Sequence, residues 1–122
     1  NSGQKLYFVG QSSNSRTPFT IQDWSSKTHL PQNKWEKLIR EKINKCNMMI
    51  VLVGKKMSTA TGVATEIAFA KDLNVPVFGV YVDGADTTST LPAGLQRNRT
   101  IIWNWEKIAS AIDQCMKEGK NK

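Results

Sequence analysis

Cysteine and histidine are scarce in this chain. Its 122 residues include two cysteines, Cys46 and Cys115, and one histidine, His29. Two cysteines exclude a fold built on disulfides and the usual four-cysteine zinc site. His29 has no Ser or Cys partner at a recognisable spacing, so the sequence does not indicate a nucleophilic triad. We therefore expect a protein without a bound metal, in a reducing, cytoplasmic setting.

Long hydrophobic runs are also lacking. The longest strongly apolar run is Met48 to Val53, whereas a membrane helix needs about 20 apolar residues. No charged segment followed by an apolar one opens the chain, so we predict neither a membrane span nor a secretory signal. The first residue is Asn1 rather than Met, and we expect a processed chain or a fragment.

The composition is that of one globular domain over residues 1–122, with a tail at 117–122. Hydrophobic residues make up 39% and charged residues 22%, and the net charge is +7. Such a charge permits binding to nucleic acid, an anionic membrane or a phosphorylated small molecule. The chain has no zinc-finger spacing, no aromatic RNP-type strand and no basic helix followed by heptads, so nucleic-acid binding stays a minor interpretation.

The hydrophobic pattern alternates between strands and helices. Apolar runs predict strands, and apolar residues at helical spacing, with Asn33 and Glu36 as a capping box, predict helices. The run Leu6 to Val9 fits a strand or a helix end equally well. The predicted strands are Phe19 to Ile21, Met48 to Val53, Val75 to Val82 and Ile101 to Trp103, and the predicted helices are Trp35 to Cys46, Val63 to Leu73 and Trp105 to Met116.

This order predicts an α/β fold, in which a mostly parallel sheet carries helices on both faces. In such sheets the ligand crevice lies beyond the carboxyl ends of the strands. The loops to inspect are therefore Gln22 to Asn33, Gly54 to Gly62 and Asp83 to Leu91.

Two of these loops carry candidate ligand-binding residues. Ser58, Thr61 and Gly62 precede or open a helix, where free N–H groups and hydroxyls favour an anion, although simple capping explains them too. Asp23, Trp24 and Ser25 follow a predicted strand. Asp23 is either a turn former or a ligand contact, and Trp24 either stacks on a base or covers the core.

Glu66 is the candidate catalytic carboxylate. Val63 lies three residues before it, and Phe69 and Ala70 follow three and four residues after it. These spacings place Glu66 beside apolar neighbours on one helix face. It is either a surface residue that complements the helix dipole or a carboxylate that faces the crevice and stabilises positive charge in a substrate.

Motifs spread from Leu6 to Ile112 resemble the bacterial TIR-like family, which includes the TIR-like component of the Thoeris anti-phage system. The shared order and spacing of these motifs carry the resemblance. They are Phe8 to Ser12, Thr17 to Phe19, Asp23 to Ser25, Trp35, Ile43 to Cys46, Ile50 to Gly54, Gly62 to Ile67, Pro76 to Val80, Leu91 to Pro92 and Ile101 to Trp105.

The resemblance implies a three-layer flavodoxin-like TIR fold and the use of NAD as a substrate. Active family members cleave the bond between nicotinamide and ribose, and some cyclise the ADP-ribose into a signal for an effector protein. The family's catalytic glutamate falls on Glu66, and self-association is expected. Many NAD-cleaving TIR domains have Trp three residues before this glutamate, where this chain has Val63.

The start of the chain has two interpretations under this resemblance. Leu6 to Gln11 matches the end of the family's first helix, in which case the family's first strand and its ligand loop lie outside this sequence. Alternatively, Lys5 to Val9 serves as the first strand.

Two other functions remain open. A non-catalytic TIR-like adaptor would work by self-association alone. A flavodoxin-like protein that binds FMN or phosphate is the third, because Thr59 to Thr65 superficially resembles a flavodoxin phosphate loop; that loop, however, follows an internal strand.

Overall fold

The computed structural model describes residues 6–10, 31–55 and 61–118, which form four strands, three α-helices and a 3₁₀ turn at Arg97–Arg99. The strands are Leu6–Gly10 (β1), Met48–Val53 (β2), Val77–Tyr81 (β3) and Thr100–Ile101 (β4). The α-helices are Gln32–Asn44 (α1), Thr61–Asp72 (α2) and Trp105–Glu118 (α3). None of the described helices has the length and apolar character needed to cross a membrane.

The four strands form one parallel sheet in the order β1-β2-β3-β4. Parallel neighbours need a crossover, and α1 and α2 lie between successive strands. Because right-handed crossovers in a sequential sheet put their helices on one side, α1 and α2 share a face. The predicted parallel α/β sheet is therefore confirmed.

The helices cover both faces of the sheet. One core cluster joins α1 and α2 to side chains that include Tyr7, Met49 and Val51. The other joins α3 to side chains that include Ile50 and Phe78. Every residue of β2 is buried, as expected for a strand with helices above and below it. The predicted helices on both faces are confirmed, and the architecture is consistent with a flavodoxin-like TIR-like domain.

The start of the described chain is a strand rather than the end of a helix. Leu6–Gly10 pairs in parallel with β2, so that Tyr7 lies opposite Met49 and Val9 opposite Val51. The alternative in which this segment serves as a strand therefore holds. The predicted strand Phe19 to Ile21 lies outside the described residues.

Two local predictions were wrong. The capping box of Asn33 and Glu36 does not form, because α1 already begins at Gln32 and no side chain caps it. The carbonyl of Pro31 instead accepts the N–H groups of Lys34 and Trp35, both at 3.0 Å. The last strand ends at Ile101 rather than Trp103, since its two residues pair only with Gly79 and Val80 of β3.

Candidate functional site

The carboxylate of Glu66 lies inside the protein. Its side chain is 1% exposed, and it is the only charged residue that is buried among those the structure describes. Helix α2 begins at Thr61, so Glu66 lies in the second turn, beyond the first turn in which the helix dipole acts most strongly. The interpretation of Glu66 as a surface residue that complements the dipole is therefore wrong.

Tyr7 on β1 is hydrogen-bonded to Glu66. Its hydroxyl donates a hydrogen bond of 2.8 Å to Oε2 of Glu66, and Tyr7 itself is 3% exposed. Burial raises the pKa of Tyr7, and the negative charge of Glu66 and the hydrogen bond to it raise that pKa further. The phenol therefore stays protonated and remains a donor at neutral pH.

The described neighbours of this pair on α2 and β2 are apolar. Val63 and Ala70 lie one turn away on the same side of α2 and are buried, and β2 supplies the apolar core beneath. A charge in such surroundings is screened much less than in water. A carboxylate held here is suited to stabilising a positive charge that develops beside it.

The end of β2 leads to the edge where the crevice is predicted. Gly54 is buried, Lys55 is exposed and Gly62 lies half-buried in the first turn of α2. Thr61 is the first residue of that helix. The other candidate binding residues, Asp23, Trp24, Ser25 and Ser58, lie outside the described residues, and their roles, with those of Thr61 and Gly62, stay predictions.

A tight turn follows β3 at the same edge. Asp83 and Gly84 have φ angles of 54° and 82°, and the N–H of Ala85 donates to the carbonyl of Val82 at 3.0 Å. Two successive positive φ angles favour an Asp-Gly pair. A Cβ atom on Gly84 would lie 2.9 Å from Cε of Lys55, so the Lys55 side chain lies directly against this turn.

Hydrogen bonds to Asp86 and from Arg97 order the rest of this loop. Oδ1 of Asp86 accepts the N–H of Thr88 at 2.9 Å, and it also accepts the Thr88 hydroxyl. The hydroxyl bond and the N–H bond of Thr88 lower the pKa of Asp86.

Arg97 donates to the carbonyls of Thr87 and Ser89 and to the hydroxyl of Tyr81. The loop is thereby joined to the end of β3.

Sequence reasoning missed both Tyr7 and Arg97. Tyr7 stands in the apolar run Leu6 to Val9, and a buried tyrosine hydroxyl usually has a hydrogen-bond partner. The sequence could therefore have indicated that the Tyr7 hydroxyl has an acceptor inside the protein. Arg97 gave no signal, because its acceptors are backbone carbonyls eight and ten residues earlier.

The two thiols differ in burial. Cys115 is buried, and burial raises the pKa of its thiol, whereas Cys46 is half-buried.

Trp103 and Trp105 are 37% and 57% exposed. Their rings contact each other edge to face at 5.5 Å. No three His, Cys, Asp or Glu residues of the described segments are grouped so that they could hold a metal.

Comparison with known proteins identifies a family for this chain. The sequence model of the family described as Thoeris protein ThsB, TIR-like domain, matches residues 4–87. This range includes Tyr7, Glu66 and the turn after β3. The searches of curated proteins and of solved structures returned no match.

Proposed function

This chain belongs to the TIR-like domain family of the Thoeris protein ThsB, and from that premise we propose that it cleaves the nicotinamide–ribose bond of NAD. Membership gives the chain a TIR-like role in anti-phage defence signalling, alongside other defence proteins. The proposal adds the chemistry: an ADP-ribose product, linear or cyclic, that acts on an effector protein. NAD is the substrate in this scheme, and the reaction takes place in the cytoplasm.

The burial of Glu66 carries this proposal. Charged side chains are almost never fully buried unless paired, and a buried, paired carboxylate is a candidate functional group. Glu66 accepts a buried hydrogen bond of 2.8 Å from Tyr7, and Val63 and Ala70 on the same side of α2 are apolar and buried. A carboxyl group placed in this way inside the domain supports the proposed role.

The reaction needs such a charge. Departure of nicotinamide leaves a ribose with oxocarbenium character, and a nearby carboxylate stabilises that positive charge, as carboxylates do in glycoside cleavage. Nicotinamide leaves as a neutral molecule, so its departure needs no general acid. Water, or a second nucleophile within the ADP-ribose, then attacks C1′ of the ribose.

Features at the carboxyl end of β2 suit the phosphates of NAD. The ammonium of Lys55 lies at the end of that strand beside the turn at Gly84, and the first N–H groups of a helix such as α2 have no acceptor within the helix, so they can bind an anion. We assign Ser58, Thr61 and Gly62 to the phosphates, and Asp23, Trp24 and Ser25 to the remainder of the dinucleotide.

The test is direct release of nicotinamide. Purified protein is incubated with NAD, alone and with extract of phage-infected cells, and nicotinamide is measured by chromatography. We expect release in at least one condition, and loss of release in Glu66→Gln. Glu106→Gln, which changes an exposed glutamate in the first turn of α3, is the matched control and should keep full activity. No nicotinamide in either condition would rule the proposal out.

A non-catalytic adaptor is the second candidate, favoured by exposed apolar residues after β4. Ile102, Trp103 and Trp105 are all exposed, and they follow one another closely enough to form one self-association surface. An adaptor requires this surface and not the carboxylate. Protection from phage that survives Glu66→Gln but is lost in a Trp103→Ala, Trp105→Ala double variant would favour this candidate.

A further inference from the structure

We infer that Tyr7 is a positioning residue for Glu66, whose hydroxyl holds the carboxylate in the orientation and charge state that NAD cleavage requires. This inference rests on the proposed function above. It assigns a second residue to the same site, one that acts through Glu66 and need not touch the substrate.

The geometry shows why Tyr7 can hold Glu66 in place. The two residues are 59 positions apart, and a buried hydrogen bond of 2.8 Å joins them. Tyr7 is fixed at its backbone by pairing of β1 with β2, opposite Met49. A phenol ring has two side-chain torsions and a glutamate has three, so the more rigid group, anchored in the sheet, fixes the end of the more flexible one.

The same bond supports the ionised form of the carboxylate. Burial disfavours a charged carboxylate, whereas a hydrogen bond donated to it favours the charge. Hydrogen bonds to charged groups are worth more than neutral ones. Without the Tyr7 hydroxyl, more of the enzyme would carry a neutral Glu66 at a given pH, and only the ionised form stabilises the ribose cation.

Other titratable side chains occur on the elements packed against the pair. The Cys46 thiol lies just after α1, and its ionisation would raise the pKa of Tyr7. Arg40 of α1 and Asp72 of α2 form a more exposed pair at 3.3 Å. Strand β2 carries no titratable side chain between Met48 and Val53.

A merely structural role for Tyr7 makes a different prediction. If the hydroxyl only stabilised the fold, its removal would lower the melting temperature and leave the kinetic constants of the folded protein unchanged. If it positions the carboxylate, kcat falls while KM stays nearly constant, and the acidic limb of the pH–rate profile moves to higher pH.

The experiment compares Tyr7→Phe with Thr100→Val in the NAD cleavage assay. Both variants remove one hydroxyl from a buried side chain of the sheet that donates a hydrogen bond, and thermal melts establish that each is folded at the assay temperature. We expect kcat of Tyr7→Phe to fall about ten- to a hundredfold, with the acidic limb of its pH–rate profile shifted to higher pH. Thr100→Val, which changes a residue of β4 outside the site, should match the wild type in kcat and in pH profile.

The outcomes separate this inference from the proposed function. An active wild type, an inactive Glu66→Gln and a Tyr7→Phe variant with wild-type kcat and pH profile would overturn the inference alone. A wild type that releases no nicotinamide would overturn both. If Tyr7→Phe is unfolded at the assay temperature, the pH profile is measured at the highest temperature at which it is folded, where the same shift is required.

Discussion

At the scale of single residues, Glu66 and Tyr7 depend on each other. A buried carboxylate is costly unless hydrogen-bonded, and a buried phenol hydroxyl without an acceptor also costs free energy. The bond between them lowers both costs at once. The loss of stability caused by a substitution at Glu66 should therefore depend on whether the new side chain can still accept this hydrogen bond.

We predict that Glu66→Ala destabilises the protein more than Glu66→Gln. Alanine leaves a cavity and leaves the Tyr7 hydroxyl without its acceptor, which together cost about 2–4 kcal/mol in the free energy of unfolding. Glutamine has nearly the same shape, and its carbonyl oxygen can accept from Tyr7, so it should lose less than half as much. Urea denaturation measures both values, and equal losses would show that the hydrogen bond contributes little.

The sequence predicts one member of this pair and not the other. Glu66 stands out because it interrupts an apolar helix face between Val63 and Ala70. Its bond to Tyr7 spans 59 residues, and pairing at that distance depends on how β1 and α2 come together. No local pattern encodes it, although the burial of a tyrosine predicts that some acceptor exists.

At the scale of elements, β3 and β4 approach closely at Gly79. A Cβ atom on Gly79 would lie 2.8 Å from Cδ2 of Leu95 and 3.1 Å from Cγ2 of Thr100. The Cδ2 atom lies at the end of the flexible Leu95 side chain. Thr100, by contrast, is β-branched and stiff, and it belongs to the strand that pairs with β3. Space for a methyl group must therefore come mainly from Leu95.

We expect Gly79→Ala to lower the free energy of unfolding by about 1–3 kcal/mol through overpacking. The same substitution is then made in a Leu95→Ala variant, which lacks the Cδ2 atom that lies closest to the added methyl group. There the cost of Gly79→Ala should shrink by at least half, and a double-mutant cycle in urea measures the coupling. Additive losses would mean that Leu95 is not what resists the added methyl group.

The loop after β3 depends on Arg97 for its order. That side chain donates to two loop carbonyls and to the hydroxyl of Tyr81. We predict that Arg97→Ala speeds amide hydrogen exchange across residues 86–90 by about tenfold or more, because opening this loop costs less. Arg40→Ala, which removes an exposed pair with Asp72 far from the loop in the chain, should leave exchange in the loop unchanged. Unaltered exchange in Arg97→Ala would show that the Asp86 turn alone orders the loop.

At the scale of the whole molecule, the architecture follows from patterns that the sequence displays. The unbroken apolar run of β2 predicts a strand covered on both faces, and helical spacing predicts α3 to within a few residues. The start of α1 was placed too late, because the helix already begins after Pro31, whose carbonyl accepts the N–H groups of Lys34 and Trp35. Leu6–Gly10 stayed ambiguous because a short apolar run has no measurable period, and its place beside β2 is set by contacts far along the chain.

Because of the buried phenol of Tyr7, the free energy of unfolding should also depend on pH in the alkaline range. Because burial and the Glu66 charge raise the pKa of Tyr7 in the folded state, the native protein keeps this proton when the unfolded chain, with an ordinary tyrosine pKa of about 10, releases it. The contribution of Tyr7 is fully present below pH 10 and is lost as pH rises toward the folded pKa. Above pH 10 the free energy of unfolding should fall by about 1.4 kcal/mol per pH unit from this group alone.

Urea denaturation of wild type and Tyr7→Phe between about pH 9 and pH 11.5 checks this dependence. Lysines titrate in the same range in both proteins, so their effect cancels in the difference between the two unfolding free energies. That difference should be constant below pH 10 and decline above it. A flat difference would mean that Tyr7 ionises as easily in the folded protein as in the unfolded chain, which the buried bond to Glu66 forbids.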